Sequence, residues 1–189
     1  VTGAEPLDLS LAGRLLVATP GLRDPNFARA VVLVLDHDDE GAVGVVLNHP
    51  LDVPVHHVLP AWSEAAPPAV LFSGGPVEQE GALGVAVAKQ AVEPDGFRLV
   101  RGRLGLLDLD ADPALTLAGL EGLRVFAGYA GWGGGQLEDE LGEGSWYIVD
   151  SSPDDLLSEL PEELWRSVLR RQGGDLAMVS TWTEDPELN

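Results

Sequence analysis

The chain has 189 residues, 45% of them hydrophobic and 22% charged, which suits one domain and a core that buries roughly 70% of the unfolded surface. It contains no cysteine, which excludes disulfides, zinc–thiolate sites and thiol catalysis. Thirty-one acidic residues against eleven basic ones give a net charge of −20, a field that repels phosphate backbones and anionic lipids, so neither nucleic acid nor membrane is an expected partner.

Residues 1–11 carry no clear period and are expected to form a flexible N-terminal segment ahead of one domain over 12–189. This segment lacks a basic, apolar leader, and no run reaches the ~18 apolar residues of a membrane-spanning helix, so a cytoplasmic protein is expected. The apolar run 15–18 (Leu-Leu-Val-Ala) reads as a buried strand stopped by Pro20 and Gly21. Runs 30–35 and 42–47 are fully apolar and rich in valine, the pattern of strands buried on both faces. The acidic turn 36–41 between them predicts a hairpin. A short helix is expected over 54–62, with Asp52 as its cap. Strands are expected at 70–72 and 83–88, separated by the Gly74-Gly75-Pro76 turn, and over 97–109 with a break at Arg101-Gly102-Arg103. Asp112-Pro113 opens a helix through Leu120, because Asp caps well and Pro suits the first helical position.

A strand at 123–127 then leads into Gly128-Tyr129-Ala130-Gly131-Trp132-Gly133-Gly134-Gly135, five glycines in eight residues with two aromatic rings among them. Such a stretch points to positive φ or a close backbone approach, and to a turn into the helix expected at 136–141. A strand at 145–149 and helices at 153–160 and 162–172 complete the chain, the last with Leu164, Trp165, Val168 and Leu169 on one face. Strands come in groups and helices are short and late, so the fold class is α+β: a curved mixed or antiparallel β-sheet covered by short helices.

No constellation supports a catalytic assignment. Gly-x-Ser-x-Gly and the phosphate-binding Gly-x-x-x-x-Gly-Lys pattern are both absent, and no nucleophile has an evident base. His37, set in Asp36-His37-Asp38-Asp39-Glu40, offers an imidazole among carboxylates, yet the spacing is not that of a calcium loop; a structural hydrogen-bonding role is favoured and no metal is expected. Asn48 at a strand end suits a turn more than a ligand contact. His56 and His57 are adjacent and unsuited to clasp one metal together. Gln136 and Glu140 stand at i, i+4 and share a helix face, aimed at a cleft between the Gly131–Gln136 stretch and Gly74-Gly75-Pro76.

These residues carry a resemblance. Gly13-Arg14-Leu15-Leu16-Val17-Ala18-Thr19-Pro20, Asp24-Pro25-Asn26-Phe27, His37, Glu40-Gly41-Ala42-Val43-Gly44-Val45-Val46-Leu47-Asn48, Gly74-Gly75-Pro76-Val77, Gly128-Tyr129-Ala130-Gly131-Trp132, Gly135-Gln136-Leu137-Glu138-Asp139-Glu140 and Ser145-Trp146 occur in the order and spacing of the YqgE/AlgH family. The resemblance implies an α+β fold whose sheet bends into a partial barrel. Some members are named as regulators of exopolysaccharide production, but this chain has no basic helix or reading motif to support direct DNA binding. The expectation is therefore a non-enzymatic regulatory domain that binds a small molecule or a protein and needs no cofactor. Its candidate ligand residues are Asp24, Asn26, His37, Asn48, Gly74, Gly75, Trp132, Gln136 and Glu140. The alternative is an enzyme using His37, Asp24 or Glu140 as acid or base.

Overall fold

The computed structural model describes residues 10–90 and 93–184. Ten strands among them form one curled sheet, a half-barrel, with short helices packed on it. The expected flexible segment falls mostly on residues 1–9, outside the described residues. Of its end, Leu11 is held by its N–H, which donates to His37 Nδ1 at 3.0 Å.

The strands are β1 (Arg14–Ala18), β2 (Val31–Asp38), β3 (Gly41–Val46), β4 (Pro50–Pro54), β5 (Val70–Ser73), β6 (Val77–Ala88), β7 (Phe97–Arg101), β8 (Leu104–Leu107), β9 (Leu120–Gly133) and β10 (Trp146–Asp150). Their order is β10-β1-β2-β3-β9-β6-β8-β7, with every neighbour antiparallel; β4 pairs with β5, and β5 alone runs parallel to β9. The helices are α1 (Val55–Val58), α2 (Pro113–Thr116), α3 (Gln136–Gly142), α4 (Pro153–Leu156), α5 (Leu164–Gln172) and α6 (Gly174–Val179).

The valine-rich runs form β1–β3 because their alternate side chains, Val43 apart, find apolar cover. Leu15, Val17, Val31, Leu33 and Val45 face one core, closed by Leu156 of α4 and by Leu164, Trp165, Val168 and Leu169 of α5. Each of these helix residues contributes about 1.5–3 kcal/mol by its burial. The intervening Leu16, Ala18, Val32, Val34, Ala42 and Val46 face a second core with Trp132, Leu137 and Trp146. A third cluster, around Trp62, Phe97, Leu123 and Val125, fills the opposite face of the β6–β8–β9 part.

Three readings of the sequence are corrected. Asp52 does not cap α1: it lies within β4, and Pro54 stands at the cap with no side-chain hydrogen bond. The prolines at both ends of 50–54 hide this strand, which pairs only at Pro50↔Phe72 and Pro54↔Val70. The helix expected over 153–160 ends at Leu156, held at its start by a Ser152–Asp155 capping box. Most of the glycine-rich stretch is strand, since β9 runs unbroken to Gly133 and turns only at Gly134-Gly135. Gly128, at φ 74, marks the point where β9 passes from one set of partners to another. Opposite it, β6 loops out four residues between the pairs Val77↔Tyr129 and Ala82↔Ala127.

Candidate functional site

Seven of the nine candidate residues fall into two groups, joined by the loop 19–30 that links β1 to β2. The first group surrounds α3. Glu140 Oε2 accepts hydrogen bonds from both Trp132 Nε1 (2.9 Å) and Trp146 Nε1 (2.8 Å), while its Oε1 accepts from Gln136 Nε2 at 3.2 Å. Gln136 Oε1 in turn accepts from the Gly133 N–H at 3.1 Å. The i, i+4 pair thus meets as expected, but it grips two indoles and the turn into its own helix.

His37 is also engaged on both sides. Its Nδ1 accepts from Leu11 N–H, which leaves the proton on Nε2 to donate to Glu138 Oε1 at 2.7 Å. That hydrogen bond, more than anything else, holds the Glu138 carboxyl below its ordinary value. Beside the hairpin lies a shallow hollow of about 210 Å³ lined by Asp36, Asp38, Glu40, Ala42, Val43 and Trp132. Among the described residues no three His, Asp or Glu side chains are placed to share a metal ion. His56 and His57 lie apart from this group, their exposed rings in edge-to-face contact at 4.3 Å.

The second group shapes the loop. Asp24 Oδ1 accepts from Asn26 N–H at 2.8 Å, and its carbonyl accepts from Phe27 (3.0 Å) and Ala28 (2.7 Å). Asn26 itself is exposed. This turn presents Phe27 to the tryptophan pair, 6.2 Å from the Trp132 ring and 5.7 Å from the Trp146 ring. Asn48 spans the loop's other end: Nδ2 donates to the Arg29 carbonyl at 2.8 Å and Oδ1 accepts from Val31 N–H at 2.9 Å.

Gly74 and Gly75 are brought to neither group. Both are buried, and Gly74 N–H donates to the Ala127 carbonyl while its own carbonyl accepts from Val46.

The same loop walls a cavity of about 460 Å³, bounded by Thr19, Pro20, Leu22, Arg23, Ala28 and Arg29 on one side and by 182–184 on the other. Burial first, then the charge of Arg166, push Arg29 below its ordinary pKa, while Glu184 acts in the opposite sense. The sequence reading missed Arg29, Phe27, Trp146 and Trp182 as site residues. No local signal set Arg23 and Arg29 apart, since arginines stand closer together at 98–103 and at 166–171.

The comparisons agree on one family. The sequence pattern described as AlgH-like matches residues 15–177. A UPF0301 protein of Streptomyces coelicolor is 59% identical over 185 residues, covering 95% of this chain and 96% of its own. Another, of Thermobifida fusca, is 48% identical over 191 residues, with 96% of each chain covered. Among solved structures, the protein DIP2367 of Corynebacterium diphtheriae superposes with a TM-score of 0.86 at 34% identity, covering 96% of this chain and 95% of that one. The solution structure of AlgH from Pseudomonas aeruginosa gives 0.68 at 28% identity, covering 96% and 99%.

Proposed function

The chain belongs to the AlgH-like family, whose function is unsettled, and from that premise we propose that it is a non-enzymatic binding domain of regulatory type. The observation that carries this reading is how the polar candidates are used. His37, Asn48, Gln136 and Glu140 each hold backbone, an indole, the Glu138 carboxylate or one another through the hydrogen bonds described above. Among the described residues none of them is paired with Asp24, and the one imidazole–carboxylate pair among them, His37 with Glu138, has its other ring nitrogen taken by the Leu11 N–H, which leaves the acid–base alternative less well served. The loop 19–30, fixed at one end by Asn48 and at the other by Thr19, which bonds the Gly144 and Ser145 carbonyls, offers an open cavity of a size that suits a small molecule. Ligand contacts then come from the loop, and Asp24, Asn26, Asn48 and the Trp132–Glu140 clamp act as its support. The net charge of −20 disfavours direct DNA binding, so an influence on gene expression would run through a ligand or a protein partner.

The test is a thermal-shift screen of metabolites and metal ions against the whole chain, with mass spectrometry of each hit after incubation. A stabilising compound recovered unchanged supports the proposal. A hit converted to product makes the protein an enzyme, and sequence-selective retardation of DNA at low salt makes it a direct regulator.

A further inference from the structure

Acidic residues outnumber basic ones thirty-one to eleven in this chain. Yet the cavity on the 19–30 loop is lined by two arginines, Arg23 and Arg29, and by one carboxylate, Glu184. Arg166 stands close enough for its charge to act on Arg29. Among the described residues, none of these three arginines forms an ion pair.

Arg29 is also held at some cost. Its backbone has φ 58, a left-handed conformation that a residue with a side chain rarely adopts. Asn48 fixes that conformation by bridging the Arg29 carbonyl and the Val31 N–H. The guanidinium lies 4.1 Å from the centre of the Trp165 ring, and its Nη1 donates to the Trp182 carbonyl at 2.9 Å. Stacking and one hydrogen bond therefore orient the group while using few of its five N–H donors. The half-exposed ring of Trp182, with Pro20 and Leu22, supplies apolar wall beside it.

We infer that, within the binding role proposed above, this cavity takes a small planar organic anion, a carboxylate or a phosphate monoester. Arg29 and Arg23 hold the anionic group, and the flat part lies against Trp182. A planar guanidinium matches both oxyanions through paired N–H···O bonds. Glu184, the cavity's own carboxylate, competes for the same cations and is displaced. The inference rests on the binding-domain reading and narrows it to a ligand class.

Benzoate and phenyl phosphate, with neutral phenol as the control, are titrated into the whole chain while the Trp182 indole N–H resonance and the Tm are followed. Benzoate or phenyl phosphate moves that resonance and raises Tm, phenol does neither, and the tighter of the two anions identifies the acid group. Arg29→Gln weakens binding by at least about tenfold, Arg23→Gln weakens it less, and Glu184→Gln tightens it. Native Trp132 and Trp146 indole resonances establish that each variant is folded; if Arg29→Gln is not, Arg23→Gln and Glu184→Gln decide. Equal binding of phenol, no response to either anion, or unchanged affinity in folded variants overturns the inference. Should both anions fail while the metabolite screen yields an unconverted neutral ligand, the anion assignment falls and the binding-domain reading stands. Should an anion bind here and be converted, the reverse holds.

Discussion

The backbone of Gly75 lies directly against that of Tyr129: a methyl group at position 75 would sit 2.3 Å from the Tyr129 carbonyl carbon and oxygen. Gly74, beside it, is as close to Gly128, where a methyl group would meet the carbonyl oxygen at 2.2 Å. The Gly-Gly-Pro connection thus threads between β5 and β6 flat against β9, in space that no side chain fits. Gly75→Ala is expected to lower stability by about 3 kcal/mol or to prevent folding. Gly142→Ala at the end of α3, where a methyl group meets open space, is expected to be neutral or to gain up to about 1 kcal/mol. Urea denaturation of the two variants checks the contrast.

Glu140 supports two tryptophans with one carboxylate. Glu140→Ala leaves the Trp132 and Trp146 indole N–H groups without their acceptor and is expected to cost about 3 kcal/mol. Glu140→Gln, which keeps one acceptor oxygen, is expected to cost about 1 kcal/mol. Denaturation midpoints report the ranking, and the Trp132 indole shift reports the lost hydrogen bond.

Arg124 is 1% exposed and donates only to backbone carbonyls, those of Pro67, Pro68, Leu156 and Ser158 among them, with its guanidinium 4.4 Å from the Phe72 ring. Burial lowers its pKa to about 10. It ties the 66–68 loop and the end of α4 to β9. Arg124→Met is expected to cost about 3 kcal/mol or more, because several carbonyls lose their donor at once. Arg124→Lys is not expected to rescue it, since one ammonium does not span the same carbonyls. Thermal unfolding of both variants tests this.

Burial pushes His49 below its ordinary pKa. The unfolded chain therefore takes up the proton first as pH falls. The stability tied to neutral His49 is complete above the ordinary histidine pKa and is lost as pH drops towards the lower folded value. Urea midpoints measured from about pH 8 to about pH 5 should decline through this window, and His49→Gln should flatten the decline. An unchanged slope in the variant refutes the assignment.

Much of the fold was legible where local chemistry and tertiary demand agree. The valine runs of β2 and β3 are buried on both faces except at the exposed Val43, and Asp112 caps α2 by accepting from Ala114 N–H at 2.9 Å. The apolar stripe of α5 faces the core as its spacing required. The glycines of β9 were misleading because strand propensity counts side chains, whereas this strand is held by ladders to β3, β5 and β6. Pairing of Glu140 with Gln136 followed from helical spacing, but its grip on Trp146 depends on β10 lying beside β1. The Arg29 cavity was beyond local reading altogether. Its walls come from 19–29 and 182–184, which only the packing of α5 and α6 brings face to face.

The passage of β9 through the whole sheet has a consequence for how the molecule opens. Its first part pairs with β5 and β6, and its last four residues pair with β3. Neither side of the half-barrel can separate without breaking a ladder that the other side shares. Amide protons along β9 should therefore exchange with solvent only through global unfolding, at rates that agree across Val125 to Ala130. The loop 19–30, stapled at its ends by Thr19 and Asn48, should exchange far sooner by local opening. On that expectation the rim that carries the cavity opens early, and the frame beneath it opens only as a whole.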